Sequence, residues 1–172
     1  LEEVLAQLAQ AHAELQERTA QLEALQAQLR EQADRDALTG LHNRRHLARR
    51  MDRLPVEPLQ GPLSVAILDL DHFKTINDRY GHAAGDKVLV RTAALLRSVV
   101  RGSDLIARTG GEEFLLVLPQ TGASEAREAC ERLLSKLRDE TWARVAPGLR
   151  VTGSVGIATA LEGADSAAAL ER

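Results

Sequence analysis

The chain has 172 residues, 44% hydrophobic and 27% charged, which is the composition of a globular protein and excludes a disordered tail or a fibrous repeat. Its formal net charge of −3 provides no field that would attract nucleic acid or an anionic membrane, so we expect no nucleic-acid partner. The single cysteine excludes an internal disulfide framework and a cysteine-based zinc site, and it predicts a cytoplasmic domain.

The first predicted element is one long helix over residues 1–35. This segment contains no glycine or proline and is dominated by Leu, Ala, Gln and Glu, which favour helices. A heptad stripe of leucines is typical of a coiled coil, so we predict a signalling helix that joins two copies into a homodimer and links them to an upstream domain. An amphipathic helix packed on its own domain is the alternative. The stripe consists of Leu1, Leu8, Leu15, Leu22 and Leu29.

The second stripe of the heptad is undecided. If the leucines occupy a positions, the d positions are Val4, Ala11, Arg18, Leu25 and Gln32. If they occupy d positions, the a positions are Leu5, His12, Thr19, Gln26 and Ala33. Neither register buries clearly better residues. A coiled coil that switches between the two registers and a loosely packed one therefore both remain open.

Composition changes near residue 36, which predicts a domain over residues 36–172. The first 35 residues carry three basic and seven acidic residues, a net charge of −4, whereas the remainder carries 19 basic and 18 acidic residues, a net charge of +1. Short β-branched runs alternate there with helical patterns, as in an α/β domain. The predicted elements are strands at 63–70 and 150–158, helices at 85–100 and 124–138, a hairpin of 105–108 with 114–118, and a loop at 55–62.

Two acidic segments do not fit a core. Asp69 and Asp71 end the apolar strand at 63–70, and residues two apart on a strand project to one face, so we expect them to face a cation. Glu112 follows Gly110 and Gly111, which permit positive φ at both corners of a tight hairpin. Together the two segments can supply oxygen ligands for Mg²⁺, which takes its other ligands from water and phosphate.

Each acidic segment also has a simpler explanation. Asp71 would cap a helix beginning at His72 while Asp69 lies at a wet rim of the sheet. Glu112 would be acidic only because hairpin tips are exposed to solvent.

A helix start at residues 72–77 predicts a phosphate site. Free N–H groups at a helix N-terminus attract phosphate, and Lys74 adds a positive charge, so a nucleoside triphosphate fits. Asn77 and Asp86 have the donors and acceptors to recognise a purine edge, and Asp86 favours guanine because it accepts from N1–H and N2–H₂. Taken singly, Asn77 and Asp86 are also ordinary polar residues of a helix or loop.

Five segments resemble, in order and approximate spacing, the motifs of GGDEF-domain diguanylate cyclases. The resemblance covers residues 36–172 and implies an α/β fold with a central, mostly antiparallel sheet flanked by helices, similar to nucleotidyl cyclases and polymerase palm domains. It also implies synthesis of cyclic di-GMP from two GTP by a dimer in which each protomer holds one substrate. The segments are Asp36–Arg45, Asp69–Asp78, Gly81–Asp86, Gly110–Phe114 and Ser154–Ala158.

The resemblance also assigns site residues. Asp69 and Glu112 would be side-chain ligands, and the Leu70 carbonyl a backbone ligand, of Mg²⁺ or Mn²⁺. Glu113 would belong to the same catalytic cluster, and either glutamate is a candidate to assist deprotonation of the attacking hydroxyl. The phosphates would be held by Lys74 and the backbone of His72 and Phe73, and the guanine by Asn77 and Asp86.

A second site is implied upstream of the hairpin. Arg101 and Asp104 match the Arg-x-x-Asp motif of members that are inhibited by their product, and Arg132 would add a contact to cyclic di-GMP. Arginine clamps phosphate and guanine bidentately, while aspartate pairs with a guanine edge. The alternative is a surface arginine near an opposite charge, which contributes little.

Some features depart from the family pattern. Thr109 replaces a common aromatic residue and His72 a frequent phenylalanine. The chain begins with Leu1 and ends at Arg172, so we expect it to be a piece of a longer protein with an upstream sensor domain and to lack the family's C-terminal helix. Two other functions remain open: a non-enzymatic receptor that binds cyclic di-GMP through Arg101 and Asp104, and a dimerisation module.

Overall fold

The computed structural model describes residues 2–52 and 61–160, and the chain divides into two compact units, Leu1–Arg35 and Asp36–Arg172. The first unit is the helix α1, Glu2–Ala33, which confirms the long helix predicted there. Its heptad leucines face solvent: Leu8, Leu15, Leu22 and Leu29 expose between 58% and 67% of their surface. No helix in the described ranges is long and apolar enough to cross a bilayer.

The second unit is built on a five-stranded sheet. Its strands are β1 (His42–Asn43), β2 (Leu63–Leu70), β3 (Leu105–Gly110), β4 (Glu113–Pro119) and β5 (Gly153–Ala160), in the order β1-β3-β4-β2-β5. In the part of the chain that the structure describes, only the short β1 pairs in parallel, with β3. The other three pairings are antiparallel, which confirms the predicted mostly antiparallel sheet.

Among the described residues, four helices and a 3₁₀ turn at Trp142–Arg144 accompany the sheet. They are α2 (Arg44–Met51), α3 (Phe73–Tyr80), α4 (His82–Arg97) and α5 (Ala123–Asp139). One face of β2, represented by Ala66, Leu68 and Leu70, packs in the main core with apolar residues of α4 and α5. A smaller cluster joins Leu47 of α2 to the opposite face of the sheet. This layering leaves the end of β2 and the β3–β4 turn at one edge of the domain.

The observed boundaries differ from the predicted ones for local reasons. Helix α4 begins at His82, not at residue 85, because Gly81 adopts φ 85° and separates it from α3. Strand β5 begins at Gly153, not at residue 150, because the buried Leu149 and Val151 precede it in a non-strand segment of the core. Of the loop predicted at 55–62, residues 55–60 lie outside the described residues.

Candidate active site

The acidic end of β2 and the β3–β4 turn lie side by side. In the antiparallel pairing of β2 with β4, Asp69 is the Cα partner of Glu113, and Glu112 immediately precedes Glu113 in the turn. Directly opposed residues of such a pair have Cβ atoms about 4.5–5.5 Å apart. Asp69 and Glu113 are exposed and Glu112 is half-buried. The structure therefore brings together the two acidic segments that the sequence singles out.

The turn itself is asymmetric. Gly111 adopts φ 38°, whereas Gly110 is the last residue of β3 and has no positive φ. Of the two glycines that permit positive φ, only Gly111 uses it. A register shift between Arg108 and Gly110 leaves Thr109 without a Cα partner in β4, and this irregularity contributes to the bend.

The carboxylates at this edge suit a cation that takes its remaining ligands from water and substrate. Among the described residues no three His, Cys, Asp or Glu side chains gather closely enough to form a metal cluster. Asp69 and Glu112 with the Leu70 carbonyl offer two carboxylates and one backbone oxygen at the same edge of the sheet. Mg²⁺ is typically held by one or two carboxylates together with water and substrate phosphates. The residues present therefore fit this ion.

Asp71 has a different role from the two considered for it. Its carboxylate accepts hydrogen bonds from the hydroxyls of Thr152, at 2.7 Å, and Ser154, at 2.8 Å. Its backbone N–H donates to the Thr152 carbonyl at 3.0 Å. Asp71 therefore fastens β5 to the end of β2. The alternative in which Asp71 caps a helix starting at His72 is wrong, because the helix starts at Phe73 and the carboxylate is occupied by the two hydroxyls.

The N-terminus of α3 follows directly and lacks a side-chain cap. His72 holds the capping position in a left-handed conformation, with φ 55°, and its side chain makes no capping hydrogen bond. The first N–H groups of a helix have no partner within it and carry a partial positive charge. Lys74 lies in the first turn and is exposed. This end of α3 can therefore accept an anionic group next to the acidic edge.

Asn77 and Asp86 lie at the junction of α3 and α4. The Asn77 side chain is half-buried against Gly85, where a Cβ atom would overlap Asn77 Oδ1 and lie 3.2 Å from Phe73 Cζ. Asp86 is the next residue of α4 and is exposed. Gly85 was not among the predicted site residues. The sign that could have identified it is a glycine within a helical segment, where glycine normally lowers the stability of the helix.

Asp86 also lines a groove of about 520 Å³. Leu38 and Val90, which expose 36% and 44% of their surface, form apolar walls of this groove. Apolar walls beside a few polar groups are typical of sites for flat organic ligands. The spacing of Leu38 and Val90 along the chain gives no sign that they line one groove.

A half-buried ion pair supports the turn. Arg108 Nη1 contacts Asp36 Oδ1 at 3.1 Å and Oδ2 at 3.3 Å, while Nε and Nη2 donate to the Gly111 carbonyl at 3.0 and 2.7 Å. Burial raises the pKa of the Asp36 carboxyl, but hydrogen bonds from Thr39 and the Arg108 guanidinium outweigh it and hold the pKa below its usual value. Asp36 begins the first segment that carries the resemblance and Arg108 lies two residues before the fourth, but neither was predicted to have a role.

The predicted product site is separate from this edge. Arg101 and Asp104 lie in the turn after α4, where Asp104 Oδ2 accepts the Arg101 backbone N–H at 2.7 Å and the Arg101 side chain is exposed. Arg132 is exposed on α5. One helical turn further, Lys136 Nζ donates to Ser98 Oγ at 2.9 Å, which joins this face of α5 to the end of α4. The turn and Arg132 therefore belong to neighbouring surfaces.

Comparison with known proteins assigns the family. The family model described as "Diguanylate cyclase, GGDEF domain" matches residues 33–172. The chain belongs to the GGDEF-domain family of diguanylate cyclases. Among curated GGDEF relatives, the diguanylate cyclase DgcP of Pseudomonas aeruginosa is 43% identical over 143 residues, covering 82% of this chain and 21% of DgcP. The response regulator PleD of Caulobacter vibrioides is also 43% identical, covering 80% of this chain and 31% of PleD. The chain thus spans less than a third of these relatives.

Solved GGDEF structures share the fold. The coiled coil and GGDEF domain of DgcB from Caulobacter crescentus, in complex with c-di-GMP, matches with a TM-score of 0.79 at 30% identity, covering 94% of this chain and 88% of that one. The active GGEEF domain of a diguanylate cyclase from Vibrio cholerae matches with a TM-score of 0.62 at 31% identity, covering 76% and 84%. The predicted α/β fold and family are confirmed.

Proposed function

We propose that this chain is the catalytic domain of a diguanylate cyclase that condenses two GTP into cyclic di-GMP and two pyrophosphates. The observation that carries the proposal is the pairing of Asp69 with Glu113 beside the uncapped N-terminus of α3. Carboxylates for a metal thus adjoin donors for a triphosphate. The family match and the curated cyclase DgcP support the same reaction.

In this proposal Asp69 and Glu112, with the Leu70 carbonyl, hold Mg²⁺ or Mn²⁺. The bound ion neutralises triphosphate charge and lowers the pKa of the ribose 3′-hydroxyl. The backbone N–H groups at His72 and Phe73 and the Lys74 ammonium orient the phosphates.

The reaction forms one bond and breaks another at each α-phosphorus. The 3′-oxygen of one GTP bonds to the α-phosphorus of the other, and the bond from that phosphorus to the bridging oxygen breaks to release pyrophosphate. A glutamate of the turn, Glu112 or Glu113, takes the proton from the 3′-hydroxyl. Repetition with the roles exchanged closes the ring.

The reaction requires two protomers because each holds one GTP, so two sites must face each other. The exposed leucine stripe of α1 can join the two protomers, because a second copy of this helix would bury the stripe in a coiled coil. We propose that an upstream sensor domain acts through this helix. GTP and a reduced Cys130 both fit a cytoplasmic location for the domain.

The proposal is tested by incubating the chain with GTP and Mg²⁺ and analysing the products by mass spectrometry. We expect cyclic di-GMP with two pyrophosphates per product, and none with Asp69→Asn. Absence of product from the unmodified chain would contradict the proposal. Tight binding of cyclic di-GMP by such an inactive chain would favour the receptor function instead.

The guanine site gives a specific prediction. Gly85→Ala places a methyl group where Asn77 Oδ1 lies, so the Asn77 side chain must move. We expect the KM for GTP to rise about tenfold, because the bound base loses about one good polar contact, while kcat changes less. Steady-state kinetics would measure both. Gly156→Ala, where an added Cβ meets nothing within 4 Å, is the control and should leave KM unchanged.

The second site yields another prediction. We propose that cyclic di-GMP inhibits the enzyme by binding to a site formed by Arg101, Asp104 and Arg132. Arg101→Ala removes the exposed guanidinium, so the inhibition constant of cyclic di-GMP should rise at least about tenfold while kcat without product is preserved. Progress curves with added product measure this. Unchanged inhibition would assign it to other residues.

A further inference from the structure

Arg108 connects two segments that are far apart in the sequence. Its guanidinium fork reaches Asp36 on one side and the Gly111 carbonyl on the other, 72 residues and 3 residues away respectively. The Arg108 side chain is only 14% exposed and that of Asp36 only 23%. Arginine alone among the cations can hold two such acceptors with one planar group.

The Arg108 contact adds a constraint where the strand ladder is irregular. The pairing of β3 with β4 shifts between Arg108 and Gly110, and the single pair Gly110–Glu113 stands between that shift and the turn. The Thr109 hydroxyl donates to the Glu113 carbonyl at 3.4 Å, the limit of a hydrogen bond. The Gly111 carbonyl, in contrast, accepts two donors at 3.0 and 2.7 Å. That carbonyl belongs to the peptide from which Glu112 continues.

The opposite end of the fork is anchored in a compact turn over residues 36–41. Asp36 Oδ1 accepts from the Thr39 N–H at 2.8 Å and the Thr39 hydroxyl at 2.6 Å. The Asp36 N–H donates to the Leu41 carbonyl at 2.8 Å. Arg97 Nη2 holds the same turn from α4 by donating to the Thr39 carbonyl at 3.0 Å. Asp36 is thus a fixed acceptor for Arg108.

We propose that Arg108, anchored by Asp36, is a positioning residue that fixes the Gly111 peptide and thereby aims Glu112 at the catalytic edge. The inference deepens the proposed function, on which its kinetic part rests. Asp36 is also the first residue of the second unit, so the turn is held from the point where the chain enters this unit.

Arg97 provides a matched control. It anchors the same 36–41 turn through one backbone contact, but none of its hydrogen bonds in the described chain reaches the β3–β4 turn. Arg97→Met therefore removes an arginine contact to the 36–41 turn without touching the Gly111 peptide. We expect it to lower the melting temperature and to leave kcat unchanged.

The experiment compares Arg108→Met, Arg108→Lys and Arg97→Met in the full chain. Amide hydrogen exchange at Glu112 and Glu113 needs no substrate and should accelerate at least about tenfold in Arg108→Met, as the turn opens locally. Turnover with GTP and Mg²⁺ should show kcat lowered about 10- to 100-fold while KM changes less than about threefold, because a displaced reacting group mainly costs rate. Arg108→Lys keeps the charge beside Asp36 and should fold, with a smaller effect of the same sign.

Two results would overturn the proposal. One is exchange at Glu112 and Glu113 that is unchanged in both Arg108 variants. The other is an equal loss of kcat in Arg97→Met, which would show that the 36–41 turn only supports the fold. An unmodified chain that makes no cyclic di-GMP contradicts the proposed function, whereas the exchange measurement still decides the role of Arg108.

Discussion

Glu112→Ala should lower turnover at least about 10³-fold, the usual effect of removing one preorganised group that stabilises charge in the transition state. Glu112 is half-buried in the turn and directly precedes Glu113, the Cα partner of Asp69, so it lies at the edge where Asp69 stands. Alanine leaves Asp69 to hold the cation almost alone. The measurement is cyclic di-GMP formation at saturating GTP, with Mg²⁺ varied from micromolar to millimolar.

The fold should survive this change. Glu112 follows β3 and precedes β4, and the packed core begins at Phe114, which is fully buried. We expect the melting temperature and the dimer to be unchanged. Asp139→Asn, which neutralises an exposed carboxylate at the end of α5, is the control for charge alone and should keep full turnover. An active Glu112→Ala variant would show that the catalytic carboxylates are assigned wrongly.

The sequence predicts those elements whose pattern is local. Strand β2 is observed at the predicted residues 63–70 because its apolar run ends abruptly at two aspartates. Helix α5 is observed at Ala123–Asp139, within one residue of the prediction at each end, because apolar residues recur at helical spacing. The juxtaposition of Asp69 with the turn also follows, since two carboxylate-rich segments in a small domain have a common use in holding a cation.

Contacts made by distant residues are not predictable in this way. Nothing near Arg108 in the sequence indicates that its partner is Asp36, because that pairing depends on the packing of the whole sheet. Gly110 does not use the positive φ that glycine permits, because the register shift of β3 against β4 contributes to the bend. Asp71 was expected to face a cation or to cap a helix, yet its carboxylate accepts from the hydroxyls of Thr152 and Ser154, more than 80 residues later.

Arg108 and Asp71 share one feature: each charged side chain is satisfied by residues distant in the sequence. A half-buried carboxylate or guanidinium requires partners, and the fold supplies them from whichever segment lies nearby. Sequence spacing identifies which residues need partners and fold topology decides which partners they receive. The proposed metal ligands at the catalytic edge can therefore be predicted from the sequence, whereas the residues that hold the edge in place cannot.

The double substitution Leu15→Glu with Leu22→Glu should disrupt the dimer and, with it, the reaction. Both leucines lie in the exposed stripe of α1, at 63% and 67% exposure, and occupy seam positions in either heptad register. A coiled coil would bury four added charges, two per chain, and unpaired buried charge is strongly unfavourable. We expect the Kd of the dimer to rise at least about 100-fold, measured by sedimentation velocity over a range of protein concentrations.

Turnover should fall in parallel, because a monomer holds only one GTP. At low enzyme concentration the rate should depend on the square of that concentration, since two monomers must meet before either bond can form. Ala13→Glu with Ala20→Glu is the matched control: it adds the same charge to exposed positions of α1 that lie outside the seam in both registers, so dimer and rate should persist. A monomeric Leu variant with an undiminished rate would contradict catalysis across two protomers, and a variant that stays dimeric would place the interface elsewhere.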